Sequence, residues 1–172
     1  VSYLMDRAGG RPPEPAQWDD RLLGLWGGAV GRMHALAGRY EHWEHSPRPE
    51  RNGRPLLGWR NEVKGFTDWC RDPEVKDGWR AMETRLEALP VERGSFGFIH
   101  NDPHGHNILY DGASLKVIDF DVANYHWFMT DVAIALQSAL FTWGGLERPV
   151  GDAGAVRWFF EGFLRGYERE HH

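Results

Sequence analysis

The sequence holds one cysteine in 172 residues, Cys70, so no disulfide can form within the chain. That usage fits a reducing compartment, and a cytoplasmic setting is the expectation. Cys70 stands beside Trp69 and reads as a small hydrophobe rather than a nucleophile. No run of about 18 apolar residues is present, which leaves no candidate membrane-spanning helix. Lysine is scarce too, at three of the 20 basic side chains, the other 17 being arginine. With a net charge of -5, the balance argues against a general nucleic-acid-binding surface. Internal repeats and low-complexity tracts are absent. What remains is 41% hydrophobic and carries nine Trp and nine Phe, enough for one domain with a sizeable core.

Periodicity gives a mainly α reading. Val1 to Met5 has strand character, and Arg7 to Pro15 is a loop punctuated by Gly and Pro. A helix is predicted over Gln17 to Leu36, with Trp18, Leu22, Leu25, Trp26, Ala29, Met33 and Leu36 on one face. Gly27, Gly28 and Gly31 weaken that helix but permit close packing on a neighbour. Tyr40 to Arg60 reads as loop. Further helices are predicted over Asn61 to Cys70, Val75 to Leu89, Thr130 to Trp143 and Val156 to Tyr167, with Phe96 to Ile99 as a strand. Trp18, Trp26, Trp158 and Phe159 are assigned to the core, and Tyr125 to Phe128 to packing that leads into the helix after them.

Polar residues concentrate in HNDPHGHNILYDGASLKVIDFD, from His100 to Asp121. Ile108 to Tyr110 and Leu115 to Ile118 are apolar runs joined by Asp111-Gly112-Ala113-Ser114, a hairpin turn. A turn centred between Gly112 and Ala113 sets Asn107 opposite Ile118 or Asp119, at the hairpin's open end. Pro103 and Gly105 keep Asp102 in an irregular loop at the same end. Asp102, Asn107 and Asp119 can thus converge on one mouth. A carboxylate and an amide oxygen suit Mg²⁺, which takes few protein ligands and keeps waters and phosphate oxygens. A second carboxylate can orient a hydroxyl toward phosphorus, and these are the parts of phosphoryl transfer.

The motif makes the resemblance specific. His100-Asn101-Asp102 through Asn107 fits H-x-D-x-x-x-x-N, and Ile118-Asp119-Phe120-Asp121 resembles the strand that carries the second metal ligand in the protein-kinase-like fold. A His two residues after the Asp, with D-F-D in place of D-F-G, is similar to the aminoglycoside phosphotransferase and choline kinase branch. The resemblance implies Asp102 as catalytic base and Asn107 and Asp119 as Mg²⁺ ligands. It implies His100 and Asp131 (in TDVAIAL) as structural supports of the loop, and Asp121 near metal or substrate. LMDRAGGR resembles the hinge between lobes, which implies that Asp6 and Ala8 meet the adenine, with Ile118 on the floor of its pocket; MHAL (Met33 to Leu36) resembles the end of the next helix. Two departures stand out: Asn101 where the family usually has Gly, and Gly105-His106 where it usually has Pro-Gly.

The glycine-rich phosphate loop, and the strand Lys paired with a helix Glu, are not in this sequence. The expectation is therefore a helical C-lobe over 11–172, with its catalytic hairpin at 96–121, behind the last strand and hinge of a missing N-terminal lobe at 1–10. The implied activity is transfer of the γ-phosphate of ATP or GTP to a hydroxyl of a small molecule (aminoglycoside-like, amino alcohol or related), with the fragment alone inactive. Two alternatives stand beside it. One is a metal-dependent hydrolase using His100, Asp102, His104 and His106. The other is a non-catalytic kinase-like module.

Overall fold

A computed structural model describes residues 7–40, 50–51, 54–55, 58–139 and 153–171. The expected strand Val1–Met5, the hinge residue Asp6 and Trp143 lie outside these residues. Helix α1 is Asp20–Arg39. It starts later than Gln17 because Pro15–Gln17 forms a 3-10 turn, and Asp19 caps the helix by accepting the Leu22 amide at 2.8 Å. Two-residue strands β1 (Glu50–Arg51) and β2 (Arg54–Pro55) pair with each other. Helices α2 (Trp59–Trp69) and α3 (Pro73–Glu87) follow, the latter capped by Asp72 with Pro73 in its first turn. Strands β3 (Phe96–Ile99), β4 (Ile108–Tyr110), β5 (Leu115–Val117) and β6 (Asn124–Trp127) come next, then α4 (Met129–Ser138) and α5 (Ala153–Tyr167). No helix among the described residues is long and apolar enough to cross a membrane.

The first and last helices build the main core. The face of α1 that goes inward carries Leu22, Leu23, Trp26, Gly27, Val30, Gly31 and His34. This corrects the expected stripe, since Leu36 is 60% exposed. The cause is α5. A Cβ added to Gly27 would stand 1.9 Å from the Phe163 carbonyl oxygen, and one on Gly166 would stand 1.9 Å from that of Gly24. The two backbones are in contact, so the glycine-bearing face of α1 must be the buried one. Trp26 packs edge-on against Phe159 and Phe163 beside the interface. Trp158 is a second correction: it is 40% exposed and donates its indole N–H to Asp20, on the rim rather than in the core.

A smaller core joins α2 to a two-stranded sheet through Trp59, Val63, Phe96, Tyr125 and Trp127. The sheet pairs β3 with β6, Phe96 opposite Trp127 and Ile99 opposite Asn124. Residues 125–127, expected only as packing, are thus a strand that packs. The hairpin has the register expected from its turn: Ile108 faces Val117, and Tyr110 faces Leu115. Asp111 closes that turn by accepting the Ala113 and Ser114 amides and the Ser114 hydroxyl, at 2.7–2.9 Å. Those bonds, the Ser114 amide first, hold its carboxyl far below the usual carboxylate range. The segment before α1 docks on the hairpin edge, where Arg11 and Tyr110 exchange backbone hydrogen bonds. Gly10, at φ +103, fits there because a Cβ would stand 3.0 Å from the Tyr110 backbone.

Candidate active site

The chain leaves β3 at Ile99 and turns sharply at Asn101, whose φ is +66. A short amide side chain tolerates the left-handed region, so Asn can stand where glycine is usual. His100 is 1% exposed, and both of its ring nitrogens are engaged. Nδ1 accepts the Asp102 amide at 3.2 Å, which leaves the hydrogen on Nε2 to bond the Ile118 carbonyl at 2.9 Å. The ring therefore pins the loop to the strand leading into Asp119. It has no nitrogen left for a metal. Among the described residues no group of three or more His, Cys, Asp or Glu is arranged to hold one. The cluster of His100, Asp102, His104 and His106 is not assembled as a hydrolase site.

Asp102 and Asn107 meet directly. The Asn107 amide, 8% exposed, donates to the Asp102 carbonyl at 2.9 Å and to its carboxylate at 3.2 Å. His104 Nε2 lies 3.4 Å from the same carboxylate oxygen, Oδ2. Because His104 Nδ1 accepts the His106 amide at 3.1 Å, its Nε2 carries the hydrogen and faces the carboxylate as a donor. The Asp102 side chain is 40% exposed, so it is oriented on one side and open on the other. The Ile118 amide donates to the Asn107 carbonyl at 2.9 Å, which extends the hairpin by one pair. Asp119 is the next residue outward, exposed, with φ +67. The fold thus delivers Asp119 to the mouth, although no hydrogen bond ties it to Asp102 or Asn107 among the described residues. Asp121 is also exposed, two residues on.

Behind the loop lies a buried polar chain. Asp131, fully buried on α4, accepts the backbone amides of His100 (3.0 Å) and Asn101 (2.7 Å) and faces His34 Nε2 at 3.0 Å. His34 is equally buried, stacks on Phe128 with centroids 4.4 Å apart, and meets the Tyr167 hydroxyl through Nδ1 at 2.8 Å. Burial, and then the charge of Asp131, pushes the Tyr167 phenol well above its ordinary value, so it keeps its proton and donates to His34. His34 in turn donates to Asp131. The sequence reading passed over His34; its signal was a histidine four residues after Val30 on the helix face that also carries Gly27 and Gly31. Ser138 was missed as well; its hydroxyl accepts the Gly105 amide at 2.9 Å and steadies the middle of the loop.

On the outer side, Glu62 of α2 accepts from the Asn124 amide at 2.7 Å and from the Asn101 amide through both oxygens at 3.3 Å. It also faces His126, whose pKa burial lowers against the opposing pull of Glu62 and Asp131. The residues assigned to the adenine are less completely placed. Ala8 and Ile118 are half-buried, and Asp6 is outside the described residues.

The whole chain has relatives. Residues 1–171 match the model of a family described as the phosphotransferase enzyme family. The chain is 26% identical to amicoumacin kinase of Bacillus subtilis (strain 168) over 175 residues, covering 98% of this chain and 49% of that protein. Among solved structures it resembles amicoumacin kinase hAmiN in complex with AMP-PNP, Ca²⁺ and Ami, with a TM-score of 0.81, 25% identity, and 97% and 48% of the two chains covered. A microcompartment-associated aminopropanol kinase shares the fold at a TM-score of 0.52 and 23% identity, over 87% of this chain and 46% of the other. The chain spans about half the length of the relatives it matches.

Proposed function

This chain belongs to the phosphotransferase enzyme family, and we propose that it is the catalytic C-lobe of a small-molecule kinase, moving the γ-phosphate of ATP or GTP to a hydroxyl. The observation that carries this reading is the Asp102 carboxylate, steadied by Asn107 and His104 on one side and open to solvent on the other. In that posture it can accept a hydrogen bond from an acceptor hydroxyl, aim the oxygen at phosphorus, and take its proton as the new bond forms. The hairpin mouth suits a hard cation: Asn107 spends its amide hydrogens on Asp102, which leaves its oxygen as a ligand, and Asp119 offers an exposed carboxylate. Asn107 and Asp119 would hold Mg²⁺ there. The ion, when bound, supplies charge neutralisation on the phosphates.

His100 and Asp131 keep the loop in register, Asp121 lies near the acceptor or the metal, and Asp6, Ala8 and Ile118 contact the base. Residues outside these 172 supply the opposite wall of the nucleotide cleft. The acceptor is a small molecule with a free hydroxyl, aminoglycoside-like, an amino alcohol or related; the similarity to amicoumacin kinase supports a small-molecule acceptor.

The test joins the chain to the N-terminal half of a family member and follows Mg²⁺-dependent phosphorylation of aminopropanol and amicoumacin. Asp102→Asn should lower kcat by roughly 10²–10⁴; a loss of only a few-fold sinks the role. Metal binding is read separately on the chain itself. Mn²⁺ should broaden the NMR signals of Asn107 and Asp119 before any others.

A further inference from the structure

We infer that Glu62 is a positioning residue, a brace from α2 that holds the catalytic loop through Asn101; the inference rests on the kinase reading above. Asn101 immediately precedes Asp102 and sits in the left-handed region at φ +66, a turn that its short amide side chain tolerates and that aims the chain into Asp102. It is gripped at both ends. Its backbone amide is held at 2.7 Å by Asp131 from below. Its side-chain amide is held from above by both oxygens of Glu62 at 3.3 Å and by the Val122 carbonyl at 3.3 Å.

Glu62 is itself anchored. Its Oε2 accepts the Asn124 amide at 2.7 Å, and Asn124 is buried at the end of β6, directly opposite Ile99 in the sheet. Among the described residues the Asn124 side-chain oxygen has no hydrogen-bond partner, so the bond to Glu62 is what orients that amide. The result is a closed frame: β3 runs into Asn101, β6 carries Asn124, and one carboxylate from α2 ties them. A glycine at 101 would take the same backbone turn but offer nothing for α2 to hold. In this chain, then, the position of α2 and the aim of Asp102 are coupled through one side chain.

The coupling is testable in two arms. On the isolated chain, ¹⁵N NMR of Glu62→Ala should shift the amides of Asn101 and Asp102 and speed their hydrogen exchange while leaving the 111–114 turn unchanged; undisturbed loop amides overturn the brace whatever the enzyme does. In the enzyme completed with an N-terminal lobe, Glu62→Ala and Asn101→Gly should each lower kcat about tenfold and leave KM for MgATP within about twofold. Because both remove the same frame, the double variant should be no slower than the worse single variant. Glu62→Gln, which keeps one accepting oxygen, should recover part of the loss. Additive losses, or a lowered melting temperature with kcat intact, would assign Glu62 a structural role only and overturn the inference. Absence of turnover in the completed wild-type enzyme would count against the kinase reading, leaving the NMR arm to judge the brace.

Discussion

Replacing Asp131 should destabilise the protein more than almost any other single polar change. The carboxylate is fully buried and takes hydrogen bonds from the His100 amide, the Asn101 amide and His34 Nε2, at 3.0, 2.7 and 3.0 Å. Alanine would strand three donors, each at a cost of about 1–3 kcal/mol. Removing the carboxylate also relieves its own desolvation, so the net loss should fall near the ~3–5 kcal/mol seen when a buried charged network loses one member. Asparagine keeps one accepting oxygen and turns an NH₂ toward a remaining donor, which puts Asp131→Asn at about 2–4 kcal/mol by the same reckoning. For a chain of this size each kcal/mol moves the melting temperature by roughly 2–4 °C, so Asp131→Ala should melt about 6–20 °C lower. Urea denaturation and calorimetry measure the size of the effect, and hydrogen exchange at His100 and Asn101 locates it. If Asp131→Ala lies within about 1 kcal/mol of wild type, or if those two amides exchange no faster, the network does not carry the loop.

Two further outcomes follow from the packing and the titrating groups. Gly27→Ala and Gly65→Ala are the same chemical change with opposite expected signs. At Gly27 the new Cβ would meet the Phe163 carbonyl at 1.9 Å and force α1 and α5 apart, whereas at Gly65 on α2 nothing lies within 4 Å. Overpacking should cost Gly27→Ala about 1–3 kcal/mol or more, and helix propensity should favour Gly65→Ala by up to about 1 kcal/mol; urea midpoints moving in the same direction would refute the backbone contact. For His126, burial holds the folded pKa below the ordinary imidazole value. A base with a depressed folded pKa stabilises the fold when neutral, so its contribution is present above the unfolded pKa and lost as pH falls toward the folded one. Protonation of Nδ1 would also break its bonds from the Trp127 amide at 2.8 Å and the Thr130 hydroxyl at 2.7 Å. Stability should decline on acidification below neutrality and less so in His126→Asn. An NMR titration placing His126 at or above the ordinary value would contradict this.

The parts of the site that were legible in the sequence are those built from near neighbours. The hairpin register followed from one turn, because Asp111 organises Ala113 and Ser114 within three residues. The meeting of Asp102 with Asn107 is likewise a five-residue affair. What could not be read is what distant segments make together. His34 becomes a polar core residue only because Asp131 and Tyr167, 97 and 133 positions away, reach it. The inward face of α1 was misjudged because the stripe was drawn through Leu25, Ala29, Met33 and Leu36, whereas Gly27 and Gly31, expected to permit close packing, lie where the backbones of α1 and α5 touch. Strand β6 was hidden because the four residues of NYHW are too short a run to signal a strand alone, and they become one by pairing with β3. Glu62 has no partner among the described residues near it in sequence that would mark it, and only the fold brings it to Asn101, 39 residues on.

The contact between α1 and α5 also sets a schedule for biosynthesis. A ribosome finishes α1 at Arg39 but must still add everything up to Tyr167 before that helix has its partner. At roughly 5–20 residues per second the wait is on the order of ten seconds. Throughout it, the glycine-lined face of α1 lacks the helix whose backbone it touches, and His34 has no phenol to bond. The motif from His100 to Asp121 is therefore complete in the nascent chain well before the scaffold that orients it. A chain stalled short of α5 would carry the whole motif and still lack the α5 half of its main core, so α1 would keep an apolar face uncovered until that helix emerges.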